Sequence, residues 1–228
     1  MALAAAAPAQ AAPPDLGLSA SVASDYRYRG LSLSDGLPAL SVSISYDHPA
    51  GPYLSATVIG GPTSDGGPRL LGYQAYVGYA RRLGDAVSVD AGLADTEVTV
   101  FARQRYRARY AEAYLGAAFE QVSVRVYYSP DYFGEDISTV YADASAWLAP
   151  AADWRLVGHV GLLAPLHRGA GSEVAGALRY DARVGLARLW PGWRAELAWN
   201  GHGHGADYYP QGIQQAGNAV VFTATRYF

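Results

Sequence analysis

The chain has no cysteine among its 228 residues, so neither a disulfide framework nor a thiolate metal site is available to it. Lysine is absent too: all 17 basic residues are arginine, against 20 acids, for a formal net charge of −3. With no basic tract, a nucleic-acid partner is not expected. Nor is there an apolar run of about eighteen residues, the length a spanning helix requires. Half of the residues are nevertheless hydrophobic and only 16% are charged. That composition has two outlets: a buried core, or a lipid-facing shell built from strands, whose hydrophobicity is spread along alternating segments.

Alternation is what the sequence does have. Over residues 16–28 one parity is mostly apolar or aromatic, while the other carries Ser19, Ser21, Asp25 and Arg27, with Arg29 continuing it. Similar segments recur to the C-terminus with no visible domain boundary. The pattern predicts about twelve strands, at 16–30, 37–48, 53–61, 70–82, 86–95, 107–119, 122–133, 138–148, 154–164, 176–189, 193–200 and 218–228. Alternate connections are brief (48–52, 83–85, 120–121, 149–153, 190–192), and those between them are longer (31–36, 62–69, 96–106, 134–137, 165–175, 201–217). This rhythm predicts an all-β, antiparallel transmembrane barrel of up-and-down topology, with short periplasmic turns, longer extracellular loops and an even strand number. A soluble barrel or sandwich is the alternative, with the apolar parity turned inward.

Faces are clear in several segments. Leu40, Val42, Ile44 and Tyr46 alternate with serines and Asp47; Leu71, Tyr73, Ala75, Val77 and Tyr79 with Gly72, Gln74 and Gly78; Val122, Val124, Val126 and Tyr128 with Ser123, Arg125, Tyr127 and Ser129; Leu178, Tyr180, Ala182, Val184 and Leu186 with Arg179, Asp181, Arg183 and Gly185. In a barrel the apolar sets face lipid. Segments 53–61 and 154–164 are ambiguous. Two aromatic girdles are expected, Tyr46, Tyr53, Tyr79, Phe119, Trp190, Trp193 and Phe228 on the periplasmic side, and Tyr26, Tyr28, Tyr73, Tyr128 and Trp199 on the outer side.

Residues 1–12, rich in alanine and carrying Ala9-Gln10-Ala11, read as the remnant of a cleaved signal peptide or as a disordered tail, leaving 13–228 as one barrel domain. The stretch Ser24-Asp25-Tyr26-Arg27-Tyr28-Arg29-Gly30-Leu31-Ser32, followed by Ser34-Asp35-Gly36 and Pro38-Ala39-Leu40, resembles the TorF family of candidate porins, conserved proteobacterial proteins, and Tyr127-Tyr128-Ser129-Pro130-Asp131-Tyr132-Phe133-Gly134 resembles that family's second motif. The resemblance implies an outer-membrane barrel and location in the bacterial outer membrane; it carries no substrate residues. Phe228 matches the terminal aromatic of the barrel-assembly signal, with Phe222 and Ala224 in step before it, and so implies a barrel-assembly machinery as partner. Arg226 departs from the aromatic often found there.

Inside a barrel, the polar parity becomes the functional surface. It includes Asp25, Arg27, Arg29, Arg125, Arg179, Asp181, Arg183, Arg194 and Glu196, with Asp90, Glu112 and Asp143 added from less regular segments. These residues would line a narrow channel for small polar solutes, leaning toward anions through Arg27, Arg29, Arg125, Arg179 and Arg183. The alternative is a non-conducting barrel closed by arginine–carboxylate pairs. No catalytic residue, metal site or cofactor is expected: His159 is the histidine placed inside a strand, no Gly-x-Ser-x-Gly accompanies it, and Gly201-His202-Gly203-His204-Gly205-Ala206-Asp207 reads as an exposed loop before it reads as a metal site. The run Arg103-Gln104-Arg105-Tyr106-Arg107-Ala108-Arg109 sits where outer-membrane lipid and lipopolysaccharide phosphates would meet it, or is merely solvated. The oligomeric state is open.

Overall fold

The computed structural model describes residues 15–63, 66–100, 106–133, 136–168, 178–203 and 217–228. In chain order the strands are β1 (Asp15–Ala23), β2 (Arg27–Tyr28), β3 (Leu31–Ser32), β4 (Ala39–Asp47), β5 (Pro52–Pro62), β6 (Pro68–Leu83), β7 (Val87–Val100), β8 (Tyr106–Phe119), β9 (Val122–Ser129), β10 (Ile137–Ala151), β11 (Trp154–Arg168), β12 (Arg179–Trp190), β13 (Trp193–His202) and β14 (Ala219–Tyr227). Twelve of them, β1 and β4 to β14, form one closed antiparallel barrel in sequence order, while β2 and β3 make a separate two-stranded hairpin. Closure joins the two ends of the chain, β1 to β14, in a register running from Ser19 opposite Tyr227 to Ala23 opposite Thr223. The backbone of Phe228 adds a bond to Leu18 (N–H to O, 3.0 Å). In lipid an unpaired strand edge has nothing to bond, so this seam is a requirement of the fold.

The apolar parity faces outward. Val42 is 43% exposed, Leu93 60% and Leu115 69%, and Ile44, Val124 and Val184 lie on the same outer surface. The neighbouring serines and arginines turn inward, which excludes the inside-out soluble arrangement. The two ambiguous segments are resolved as well: Leu54 and Val58 point out from β5, and Leu156, Val160 and Leu162 from β11. A girdle is present at the short-turn rim in Tyr79, Phe119, Trp154, Trp190, Trp193, Tyr227 and Phe228, all exposed. Arg226 belongs to it, its guanidinium lying 5.3 Å from the ring centre of Trp193 and 5.6 Å from that of Phe228. The departure from the terminal pattern is thus a cation laid over two rim aromatics.

Five expectations need correction. β1 ends at Ala23, not near residue 30, because the chain leaves the wall and folds into the lumen. Leu71 is fully buried: Ile59 pairs with Gly72 and Gly60 with Leu70, so Leu71 is the extra residue of a bulge, turned inward onto Ala39 and Ile59. β9 stops at Ser129, ahead of Pro130, which has no N–H to give the ladder, and Tyr132 and Phe133 then fold inward. Tyr26, Tyr28 and Tyr53 are not girdle residues; all three belong to the interior. β7 also continues to Val100, taking up half of the expected loop. Residues 1–14, Arg103, Arg105, His204 and Asp207 lie outside the described residues.

Candidate functional site

The interior is organised around the hairpin β2–β3. Arg27 pairs with Ser32 and Tyr28 with Leu31, leaving Arg29 and Gly30 as a two-residue turn with φ of 47° and 79°. Positive φ at both positions is the turn whose twist suits a tight hairpin; Gly30 adopts it freely, whereas Arg29 is held there at a cost of about 1 kcal/mol. Asp25 anchors the base, accepting hydrogen bonds from Arg27 Nε (2.6 Å), Ser32 Oγ and Ser34 Oγ (3.2 Å). Ser34 Oγ in turn accepts the Tyr26 N–H at 2.8 Å. Burial pushes the Tyr26 phenol up to about 12, so it stays neutral.

The tip of this hairpin crosses the lumen. Arg29, with a side chain 6% exposed, forms two parallel bonds to Glu112 on β8, Nη1 to Oε1 at 2.9 Å and Nη2 to Oε2 at 2.7 Å. Its guanidinium also lies 4.0 Å from the ring centre of Tyr141 and about as close as 5.1 Å to that of Tyr127. Burial alone would lower the Arg29 pKa; the Glu112 carboxylate, together with Tyr28, Tyr110 and Tyr132, outweighs it, so the pKa is raised and the guanidinium stays charged. Gly30 rests against Asp181 and His202, where a Cβ would meet both side chains at 2.9 Å. Around the hairpin, Tyr28, Leu31 and Leu33 pack with Val98, Tyr110, Tyr132 and Phe133 into an apolar cluster, and Tyr110 donates to Tyr28 across it (2.8 Å).

Toward the short-turn rim the lumen changes character. Asp90 on β7 accepts Tyr53 Oη at 2.6 Å and Arg125 Nη2 at 2.7 Å, and Tyr53 also bonds the Tyr114 hydroxyl. Arg183 and Arg194 share one carboxylate, Glu196. Arg155 donates to the backbone carbonyls of Ala152 (3.0 Å) and Trp154 (2.9 Å) and lies over the Trp147 ring. Ser43 bonds Thr57 at 2.8 Å and Ser21 bonds Thr225 at 2.9 Å.

All twelve charged residues anticipated for the lumen lie inside the barrel, but in two groups. Asp25, Arg27 and Arg29 ride on the hairpin, and Glu112 is their partner on the wall; Asp90, Arg125, Asp143, Arg179, Asp181, Arg183, Arg194 and Glu196 belong to the wall itself. Asp143 is buried with one carboxylate oxygen bonded to nothing among the described residues, and Arg179 is buried at the top of β12. Sequence reasoning missed the interior tyrosines Tyr53, Tyr110, Tyr114 and Tyr141 and the role of Arg155. The available signal was parity: Tyr110 and Tyr114 fall in step with Glu112, and Tyr127 with Arg125.

A second feature missed is a relay across three strands. Ser145 Oγ meets His159 Nδ1 at 2.9 Å, His159 Nε2 meets Asp181 Oδ1 at 3.1 Å, and Tyr141 Oη donates to Asp181 Oδ2 at 3.1 Å. Gly161 makes this approach possible, since a Cβ there would collide with Tyr141 Oη and Asp181 Oδ2. The constellation resembles a nucleophile–base pair, yet it sits on strands whose backbone N–H groups are spent on the ladder, leaving none to stabilise an oxyanion. It holds the Tyr141 hydroxyl, whose ring lies against the Arg29 guanidinium. Among the described residues no cluster of three metal-ligating side chains occurs.

The model of Gcw_chp, a family described as bacterial protein of unknown function, matches residues 6–228. No curated protein matches the chain. Among solved structures, the KdgM porin aligns with a TM-score of 0.54 at 13% identity, covering 94% of this chain and 99% of its own, and the NanC porin with 0.56 at 12%, covering 92% and 99%. A KdgM porin solved in complex with disordered oligogalacturonate gives 0.51 at 12%, over 94% and 99%. At such identities the likeness is one of fold: a twelve-stranded porin-like barrel of the outer-membrane kind.

Proposed function

The chain belongs to the Gcw_chp family, and from that premise we propose that it is an outer-membrane channel for passive diffusion of small hydrophilic solutes, constricted by its own inner hairpin. The observation that carries this reading is the division of the wall, apolar outside and ionic inside, around a lumen crossed by a latched hairpin. A structural barrel could be filled from the wall alone; here the closure is a separate segment joined to β1 and β4 by chain and to β8 by the Arg29–Glu112 ion pair and the Tyr110–Tyr28 hydrogen bond.

Anion preference is located at the periplasmic mouth. Most lumenal charges cancel in pairs, Arg27 with Asp25, Arg29 with Glu112 and Arg125 with Asp90. Arg183 and Arg194 have one carboxylate between them, and Arg155 is held by carbonyls. That excess of positive charge would draw anions inward. The oligogalacturonate named for the KdgM porin is an acidic oligosaccharide, which agrees with this solute class. The TorF resemblance of residues 24–32, which form this hairpin, points to a channel as well.

The second reading, a closed barrel without transport and without catalysis, is favoured by the dry aromatic cluster around the hairpin. Planar-bilayer recording separates the two. A channel gives discrete steps and a reversal potential displaced toward anions, which Arg155→Gln with Arg194→Gln moves toward zero. Folded protein without steps in any condition would remove the channel reading.

A further inference from the structure

The outer wall of the barrel carries a cluster of charge well away from the rim where Arg188 and Arg226 lie over aromatic rings. On three neighbouring strands, Tyr73 of β6, Asp95 and Glu97 of β7, and Arg107 and Arg109 of β8 share the outward parity, with Tyr73 opposite Glu97, Glu97 opposite Arg109 and Asp95 opposite Ala111. Tyr73, Asp95 and Arg109 stand eight to ten residues above the periplasmic ends of their strands at Leu83, Val87 and Phe119. A strand tilted in the usual way climbs about 2.5 Å per residue, which puts the cluster roughly 20–25 Å up, at the outer edge of the apolar band.

The carboxylates clamp the arginines without using them up. Asp95 takes Arg109 through Nε alone, both oxygens at 3.0 Å, and is itself fixed by the Tyr73 hydroxyl at 2.8 Å. Glu97, whose side chain is 6% exposed, takes Arg107 through Nη2 at 2.7 Å. Both guanidiniums remain open, with side chains 61% and 65% exposed, and neither Nη group of Arg109 is engaged by a described residue. Two residues apart on one strand, they stand about 7 Å from each other, close enough to bracket one phosphate. Directly beneath them the same face is lined by Ala111, Ala113, Ala91 and Leu93. These small side chains leave a shallow apolar strip along which acyl chains can lie.

We infer that Arg107 and Arg109, held by Glu97 and Asp95, form a binding site on the outer wall for a phosphorylated glycolipid of the outer leaflet, a lipopolysaccharide. The inference rests on the outer-membrane location and not on whether the lumen conducts, so it survives a failure of the channel reading. Charge balance within the cluster lets it sit at the lipid boundary, and the directed N–H groups supply the recognition.

Native mass spectrometry of the full chain refolded in detergent tests this with defined probes: bis-phosphorylated Kdo2–lipid A, its dephosphorylated form, phosphatidylglycerol and inorganic phosphate. Bound Kdo2–lipid A is expected on the wild-type protein, at least tenfold more tightly than either of the other two lipids and unaffected by millimolar phosphate. The fourfold variant Asp95→Asn, Glu97→Gln, Arg107→Gln, Arg109→Gln, which keeps the local net charge, should lose that binding at least tenfold. Arg107→Lys with Arg109→Lys should retain part of it, and Arg82→Gln at the opposite rim all of it. Circular dichroism and heat-modifiable gel migration establish that each variant is folded. Equal binding by the folded fourfold variant, or by dephosphorylated lipid A or phosphatidylglycerol, overturns the site; displacement by inorganic phosphate at similar concentration overturns the lipid as its occupant.

Discussion

Above Glu112 the barrel interior is filled by Tyr28, Leu31, Leu33, Tyr110, Tyr132 and Phe133, whereas toward the periplasm the same strands face one another through Ser43, Thr57, Asp90, Arg125, Arg155 and Arg194. The wall alone does not impose this difference, because β6, β7 and β8 run through both halves. The hairpin does. By bringing apolar side chains into the upper lumen it gives Tyr110, Val98 and Ala108 something to pack against, and the cluster excludes water as a soluble core does. Below the buried tyrosines Tyr114, Tyr127 and Tyr141, the inward side chains of the described residues include ones that hydrate well, Ser43, Thr57, Arg155 and Arg194 among them. One short segment therefore fills the upper half of the lumen, and Arg29–Glu112 is the ion pair that ties it to the wall.

Removing the hairpin should abolish the contrast. Replacing residues 25–37 by a short glycine–serine link is expected to raise single-channel conductance roughly threefold or more, since the remaining bore is that of a twelve-stranded wall. Conductance unchanged from wild type would show that the hairpin does not set the constriction. Glu112→Ala is the next largest effect. It leaves a buried guanidinium without its partner, a loss of about 3–5 kcal/mol, so residues 24–38 should exchange amide hydrogens faster while β4, β9 and β12 keep their protection. Uniform loss of protection would mean that the latch supports the whole barrel.

The lower half should respond differently to an equivalent change. Arg125→Ala removes a pair whose side chains are partly in contact with solvent, and Asp90 keeps the Tyr53 hydroxyl, so stability should change by under about 1 kcal/mol while the reversal potential shifts toward cations. A large drop in unfolding temperature would place this pair in a dry environment after all. The smallest effect is expected from Tyr110→Phe, which deletes one buried hydroxyl bond to Tyr28 and leaves the packing, at about 1 kcal/mol by chemical denaturation.

Much of this molecule was written in its alternation. The faces of β4, β9 and β12, the number of barrel strands and the unequal loops follow from period-two patterning and turn residues, because lipid on one side and water on the other sort side chains strictly. The hairpin escaped because Tyr26 and Tyr28 continue the apolar parity of β1 with only Ser24 between, so a strand extending past the membrane and one folding inward look alike. What distinguishes them is tertiary: a carboxylate on β8, more than eighty residues away in the chain, that accepts Arg29. Leu71 was misplaced for a local reason, since a one-residue bulge reverses every face before it. The interior tyrosines were hidden by the assumption that aromatics in a barrel wall face lipid. The charged wall residues, by contrast, were legible from parity alone, though their pairing was not.

The absence of cysteine makes the central contrast directly measurable. Single cysteines introduced as Ser43→Cys in the lower lumen and Ala108→Cys in the aromatic cluster can be treated with a small charged thiol reagent on the refolded barrel. The account predicts that Cys at position 43 reacts at least about tenfold faster, because only there does water reach the inner face of the wall. Equal rates at the two positions would contradict it.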